Sequence, residues 1–270
     1  MVAFLIDASN LHTGGSVQVG SSVIGEVVRL AEAGEHGFDL SDLHLMSSSE
    51  VALNLKGTTA EKHLAVVDSK PMSWASPPAR AYVAALTIFG PHYRKRVADL
   101  EVVGFARPRM ITSPREVGLP NADMRERFEN RLRWWRFGMA DILVVETEPA
   151  ARLLKQHLHK SSIQIIRNTV AREMRVSVTE QEKRQLRNEL DLRTDDLIIA
   201  GVARGYEHKN LDTLGDIAYA LAEKLDRRVR VVSTLSKGEW RERSEVFRMM
   251  TTNLGVVPQR DLRTLYAISH

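Results

Sequence analysis

The stretch Leu197-Ile-Ile-Ala-Gly-Val-Ala-Arg-Gly-Tyr-Glu-His-Lys-Asn210 opens with a short apolar run and continues as a polar loop. A segment with helical spacing, Leu211–Leu225, follows at once, and the β-branched run Val229–Ser233 comes after it. Short apolar runs that alternate with helical patterns predict strand–helix–strand units and a parallel sheet. This part of the chain therefore predicts an α/β fold.

The same alternation continues towards the N-terminus. The spacing predicts a helix from about Val17 to Ala33 and another over Glu180–Leu190. Parallel sheets with helices on their faces are the architecture that such an order favours. The predicted strands are Ala3–Asp7, Leu43–Met46, Ala65–Val67, Leu100–Phe105, Asp141–Glu146, Ile163–Ile166, Leu197–Val202 and Val229–Ser233.

The alternation breaks between Asn168 and Val178, where no strong periodicity is visible. Thr179 with Glu182 three residues later forms a capping box that predicts the start of a helix. We interpret the break as a linker between two Rossmann-like domains, residues 1–172 and 178–270. The second domain is short of the five or six strands that are typical of such sheets. Because the sequence also ends within a helical pattern, we expect this domain to be incomplete.

Composition excludes several classes of protein. Hydrophobic residues make up 43% and charged residues 27% of the 270 residues, as in a globular protein. There is no cysteine, which excludes disulfides, thiolate metal sites and cysteine nucleophiles. The formal net charge of +4 is too small for a dedicated nucleic-acid binder. A cytoplasmic location is compatible with these features.

The positive charge is concentrated in one segment. Residues 107–136 contain eight arginines and four acids, a surplus equal to that of the whole chain. Within it, Phe128, Leu132 and Trp135 recur at helical spacing in the segment Arg125–Arg136. Such a helix favours either packing on the sheet, which we prefer, or contact with an anionic membrane. The second interpretation would place the protein at the inner face of the plasma membrane.

Two loops follow predicted strands and precede helices, where backbone N–H groups bind anions. Asn10–Ser16 contains Gly14 and Gly15, and could equally be an ordinary tight turn. Gly201–Asn210 contains Arg204 and Lys209, two cations that could neutralise a diphosphate or could be solvated surface residues. The spacing of Arg204 and Lys209 between a predicted strand and a predicted helix favours the interpretation that they bind a diphosphate.

Other catalytic motifs are absent from the sequence. It has no G-x-x-x-x-G-K-[ST] loop and no G-x-S-x-G elbow, which argues against a P-loop NTPase and an α/β-hydrolase. No two histidines have H-x-x-x-H spacing, and His157 and His159 on a predicted helix would face apart. We therefore expect no metal site.

Eight segments, in their order along the chain, resemble bacterial family 4 glycosyltransferases that build O-antigen and related surface polysaccharides. The resemblance runs over nearly the whole chain. The segments are Ile6–Val19, Thr87–Tyr93, Val103–Pro108, Ala140–Thr147, Ile165–Thr169, Gly201–Asn210, Leu254–Val257 and Leu262–Ala267.

The resemblance implies a GT-B fold and a retaining transfer of sugar from a nucleotide-sugar to a saccharide or polyprenyl-linked acceptor. Arg204 and Lys209 take the places of the family's donor-phosphate Arg and Lys. Gly14 and Gly15 would lie near the donor phosphates and the acceptor in the cleft, and backbone near Val257 would contact the base. The nucleotide-sugar is a co-substrate of unspecified nucleotide, and no other cofactor or metal is implied. The sequence ends before the family's donor-sugar motif, a pair of glutamates, so this chain is expected to be inactive by itself.

Two alternatives stay open. One is a truncated or degenerate relative that binds an acceptor or a partner but transfers nothing. The other is a different Rossmann enzyme, such as a sugar-nucleotide epimerase, against which the missing G-x-G-x-x-G motif argues.

Overall fold

A computed structural model describes residues 3–67, 82–91, 93–112, 123–158, 161–258 and 261–270. Contacts divide the chain into two compact units, residues 1–169 and 170–270. Each unit is built on one parallel β-sheet.

The first unit contains a seven-stranded sheet in which every paired strand is parallel. The spatial order is β3-β2-β1-β4-β5-β6-β7, so the direction in which the sheet grows reverses between β1 and β4. Ligands of open α/β sheets bind beyond the carboxyl ends of the strands at such a switch point. The strands are β1 (Phe4–Ala8), β2 (Leu43–Ser47), β3 (Leu64–Val66), β4 (Tyr82–Thr87), β5 (Ala98–Gly104), β6 (Ile142–Val145) and β7 (Ser162–Ile165).

Helices cover this sheet because their apolar residues recur on one face. In α1 the buried positions recur three, four and seven residues apart, which is the spacing of one helical stripe. That stripe packs on β1, β2 and α2 in one apolar core. The helices are α1 (Gly14–Glu32), α2 (Ser49–Asn54), α3 (Met124–Phe137) and α4 (Glu148–Lys155), with 3₁₀ turns at Glu35–Gly37, Leu40–Asp42, Thr59–His63 and Pro108–Met110.

A buried ion cluster lies within the first unit. The Arg94 guanidinium donates two hydrogen bonds of 3.0 Å to the two carboxylate oxygens of Glu101, and its Nε donates to Asp7 Oδ2 at 3.3 Å. Glu101 is fully buried on β5, and Asp7 on β1 also accepts from the Ser9 N–H and hydroxyl. Backbone N–H of Val97 donates to Glu101 as well. Buried carboxylates need such partners because their desolvation is costly.

The second unit contains a three-stranded parallel sheet in the order β10-β9-β8. Two apolar cores lie on it, one beneath α6 and α8 and the other beneath α5 and α9. The strands are β8 (Leu197–Gly201), β9 (Val229–Ser233) and β10 (Thr251–Asn253). The helices are α5 (Glu180–Glu189), α6 (Asp212–Leu225), α7 (Lys237–Arg241), α8 (Glu245–Met250) and α9 (Leu262–Ile268), with 3₁₀ turns at Arg172–Arg175 and Glu207–Lys209.

The expected fold class, α/β with two parallel sheets, is confirmed. The capping box of Thr179 and Glu182 at the start of α5 is also confirmed. Two strands were not predicted. β4 contains two alanines, and β10 is short and polar, so neither carries the β-branched run that marks a strand in the sequence.

The prediction that Phe128, Leu132 and Trp135 form the face of α3 that packs on the sheet is wrong. Phe128 and Trp135 are 71% and 54% exposed, and the helix packs through Trp134 and Phe137 instead. Phe137 lies 4.9 Å from the ring of Phe105, measured between ring centroids, which fixes the rotation of the helix. The predicted helix around His157 ends earlier, at Lys155, and His159 lies outside the described residues.

Among the described residues, no helix is both long enough and apolar enough to cross a membrane.

We predict that Arg94→Ala lowers the free energy of unfolding by about 3–5 kcal/mol, because it leaves two carboxylates buried without their cation. The control is Arg152→Ala, which breaks an exposed pair with Glu148 and should cost less than about 1 kcal/mol. Urea unfolding followed by tryptophan fluorescence measures both. Equal losses in the two variants would contradict a stabilising role of the buried cluster.

Candidate functional site

Arg204 and Lys209 lie in the loop between β8 and α6, beyond the carboxyl end of β8. The strands of this sheet are parallel, so the loops after β9 and β10 emerge at the same edge. Val257 lies in the loop after β10, and Glu239 lies on α7 after β9. The three predicted residues of the second unit are therefore at one edge of its sheet.

The side chain of Glu239, which lies on α7, links that helix to the loop after β8 by hydrogen bonds. Its Oε1 accepts a hydrogen bond of 3.0 Å from the Gly205 N–H, and its Oε2 accepts from the N–H and hydroxyl of Ser236 at 2.9 and 2.6 Å. Burial alone would raise the pKa of the Glu239 carboxyl. The hydrogen bonds from Ser236 and Gly205 and the charge of Arg204 outweigh that effect and hold its pKa below the ordinary value.

Arg204 is held beside this carboxylate. Its Nε lies 3.1 Å from Glu239 Oε1, and its side chain is 41% exposed. The contact is an ion pair and not an aligned hydrogen bond, because Nε is a buried donor with no hydrogen-bond acceptor within the described residues. Because the side chain as a whole is 41% exposed, the part of the guanidinium beyond Nε remains accessible to a ligand.

The backbone of the loop approaches α7 too closely for any side chain at position 205. A Cβ atom on Gly205 would lie 2.9 Å from both Cβ and Cγ of Glu239. Glycine at this position lets the loop N–H reach the carboxylate. The close approach fixes the path of the chain on either side of Arg204.

Lys209 ends the 3₁₀ turn Glu207–Lys209, and its N–H donates to Tyr206 O at 2.9 Å. Asn210 has φ of 46°, a left-handed conformation that asparagine tolerates, and this turns the chain into α6. The Lys209 side chain is exposed and forms no ion pair with any described residue. Its charge is available to a ligand at the edge of the sheet.

The side chain of Val257 packs against the apolar core that contains Ile198 and Val232. The resemblance implies that its backbone contacts a ligand. The role of this backbone in binding a base stays a prediction.

In the first unit, the helix after β1 begins three residues earlier than predicted, at Gly14 rather than Val17. Gly14 and Gly15 thus form the first turn of α1 and are not part of a loop. Gly14 has φ of +61°, a conformation that favours glycine, and space is open where a Cβ of Gly15 would lie. Both glycines stand beyond the carboxyl end of β1, at the switch point of the sheet. Their pairing with Arg204 and Lys209 across a cleft stays a prediction.

Three further polar residues lie at this edge and were missed in the sequence. Asn10 donates from Nδ2 to Phe89 O at 2.6 Å, which bridges the loops after β1 and β4. Its buried Oδ1 has no hydrogen-bond partner among the described residues. His12 Nδ1 lies 3.0 Å from Glu50 Oε2. Burial raises the pKa of Glu50, but hydrogen bonds from its own N–H, His12 and Ser49 hold it below the ordinary value.

No sequence signal joins His12 to Glu50, because they are 38 residues apart and only the β1–β2 pairing brings them together. A surface depression of about 580 Å³ opens further along the same edge, after β6 and β7. Its lining residues are Glu146, Thr147, Glu148, Pro149, Arg152, Arg167 and Asn168. Within the described ranges, no group of three acidic or histidine side chains could hold a metal ion.

Solved structures resemble this chain over its entire length. Sucrose-phosphate synthase from Thermosynechococcus elongatus has a TM-score of 0.61 at 12% identity, and the match covers 100% of this chain and 74% of that protein. HepE from Anabaena in complex with UDP-glucose has a TM-score of 0.63 at 12% identity, with 100% and 72% covered. No protein-family model matches the chain, and no curated protein does.

These neighbours are GT-B glycosyltransferases, and the likeness establishes the α/β fold of that class for this chain.

We predict that Gly205→Ala destabilises the second unit by about 1–3 kcal/mol, because the added methyl group would overlap Glu239. Gly238→Ala is the matched control on α7, since a Cβ there meets nothing within 4 Å, and helix propensity favours it by up to about 1 kcal/mol. Thermal unfolding followed by circular dichroism separates the two. A Gly205→Ala variant as stable as Gly238→Ala would show that the loop does not depend on this close approach.

Proposed function

We propose that the protein transfers a sugar from a nucleotide-sugar donor to a saccharide or lipid-linked acceptor. The observation that carries the proposal is Arg204, which Glu239 holds in the loop after β8 at 3.1 Å while its side chain stays 41% exposed. HepE, whose fold is similar, has been solved in complex with UDP-glucose. A pyrophosphate at the carboxyl edge of the second sheet would accept hydrogen bonds from the exposed part of the Arg204 guanidinium.

Arg204 and Lys209 have complementary roles in this proposal. Arg204 is fixed by Glu239 and offers planar N–H donors, whereas Lys209 brings a mobile point charge. Together they stabilise the negative charge that grows on the diphosphate as the sugar leaves. The loop fixes Arg204 before the substrate arrives, so catalysis rests on positioning and on electrostatic stabilisation.

The finer assignments are part of the same proposal. The motifs that resemble family 4 enzymes support transfer with retention of configuration in surface-polysaccharide synthesis. Gly14 and Gly15 would receive the donor phosphates or the acceptor at the switch point of the first sheet, where Gly15 faces open space. Backbone near Val257 would contact the nucleotide base.

We predict that Lys209→Ala weakens binding of the preferred nucleotide-sugar by roughly 10- to 150-fold, the loss of one hydrogen bond to a charged group. Turnover, where present, falls at least as far. Lys224→Ala, which removes an exposed lysine at the far end of α6, is the control. Isothermal titration calorimetry with UDP-glucose, GDP-sugars and ADP-sugars identifies the donor and measures the loss. Near-normal binding by Lys209→Ala would contradict the assignment.

A second candidate is a relative that binds an acceptor or partner and transfers no sugar. The observation in its favour is that Glu239 already neutralises Arg204, which would then serve only to hold the loop. For this candidate we expect no nucleotide-sugar to change the unfolding temperature, while Arg204→Ala still lowers it. For the transferase, a nucleotide-sugar raises the unfolding temperature and Arg204→Ala removes that increase. Differential scanning fluorimetry distinguishes the two.

A further inference from the structure

Helix α3 exposes three large apolar side chains on its solvent side. Met124 is 80%, Phe128 71% and Trp135 54% exposed. They are four and seven residues apart, so at 100° per residue they lie within about 40° of one another around the helix axis. They form one outward stripe about 17 Å long, which we call the outer stripe of α3.

The opposite face of α3 fixes this orientation. Phe137 is fully buried, and Trp134 stacks on the rings of Phe105 and His157. The Arg136 guanidinium is buried 5.4 Å from the centre of the Tyr93 ring. Turning the outer stripe inward would expose these groups, so the stripe is an outward surface of the folded unit.

Positive charge borders the stripe. Arg127 and Arg131 lie on one side of it by helical geometry, and Arg125 lies on the other. Arg131 is exposed and has no ion pair with a described residue, and the side chain of Arg125 is 87% exposed beside Glu129. The acids of the helix, Glu126 and Glu129, project away from the stripe towards its packed side. The exposed face therefore combines apolar insertion residues with cations.

We propose that the outer stripe of α3 binds the surface of a membrane that contains anionic lipids. Phe128 and Trp135 would enter the boundary between headgroups and acyl chains, and Arg127 and Arg131 would contact lipid phosphates. An aromatic stripe bordered by arginines is the composition that favours such an interface. We choose a lipid surface as the occupant on charge complementarity, because Arg125, Arg127 and Arg131 border the stripe while the acids of α3 face away from it. The proposal is independent of sugar transfer.

Co-sedimentation with vesicles tests the proposal. We expect the protein to bind vesicles of phosphatidylcholine with phosphatidylglycerol, and to bind phosphatidylcholine alone at least ten-fold more weakly. Arg131→Gln should weaken binding about five-fold, the effect of one cation near an anionic surface. Phe128→Ser with Trp135→Ser should weaken it more than ten-fold, because two large apolar groups no longer leave water. Leu53→Ser is the control, since Leu53 is 71% exposed on α2, away from the stripe.

A second readout separates insertion from mere attraction. The chain has four tryptophans, so the emission of Trp135 is taken as the difference between the protein and its Trp135→Phe variant. That emission should shift to shorter wavelength on anionic vesicles and be quenched by lipids brominated in their acyl chains. Equal binding by the double serine variant and Leu53→Ser would overturn the proposal. The proposal would also be overturned if the protein did not bind vesicles but formed a concentration-dependent dimer, seen by analytical ultracentrifugation, that the double serine variant does not form. The stripe would then be a protein interface.

Discussion

Parallel pairing of the strands determines where chemistry can occur in this protein. When all strands of a sheet run one way, every loop that follows a strand emerges at the same edge. In the second unit this brings together the loop of Arg204, the helix of Glu239 and the backbone of Val257, although Arg204 and Val257 are 53 residues apart in the chain. In the first unit it places His12 beside Glu50 and Asn10 beside Phe89. A shift in one strand pairing would separate each group, so both candidate edges depend on the registers of their sheets.

Within the second unit, the carboxylate of Glu239 holds the loop after β8 against α7. Glu239 accepts hydrogen bonds from its own helix start and from the loop, and its pKa lies below the ordinary value, so it stays ionised near neutral pH. The lowered pKa also fixes the sign of the pH dependence. The stabilisation is complete above the ordinary pKa of a glutamate and is lost as the pH falls through the lower pKa of the folded protein. Arg204 is therefore held in place by an ionised carboxylate near neutral pH.

The sequence predicted what depends on local pattern and missed what depends on tertiary contacts. Eight strands and the α/β class followed from apolar runs such as Leu197–Gly201, because burial on both faces of a parallel sheet imposes such runs. The prediction of which face of α3 is buried was wrong, because the exposed Phe128 and Trp135 satisfy helical spacing as well as the buried Phe137 does. Of the candidate site, Arg204 and Lys209 were predicted from their place after a strand. Glu239 was not, although Ser236-x-x-Glu239 is a capping-box signal, because its contact with the loop spans 34 residues.

Three arginines show how burial decides what one side chain can do. Arg94 is 7% exposed and forms two hydrogen bonds with Glu101, so no solute can reach it and its charge serves stability alone. Arg131 is exposed and unpaired among the described residues, so its interactions are screened by salt and become strong only beside a dense anionic surface. Arg204 is intermediate, because a carboxylate holds it at 3.1 Å while its side chain is 41% exposed. A cation that is both fixed and accessible can bind an incoming phosphate without first being ordered, and of these three residues only Arg204 meets both conditions.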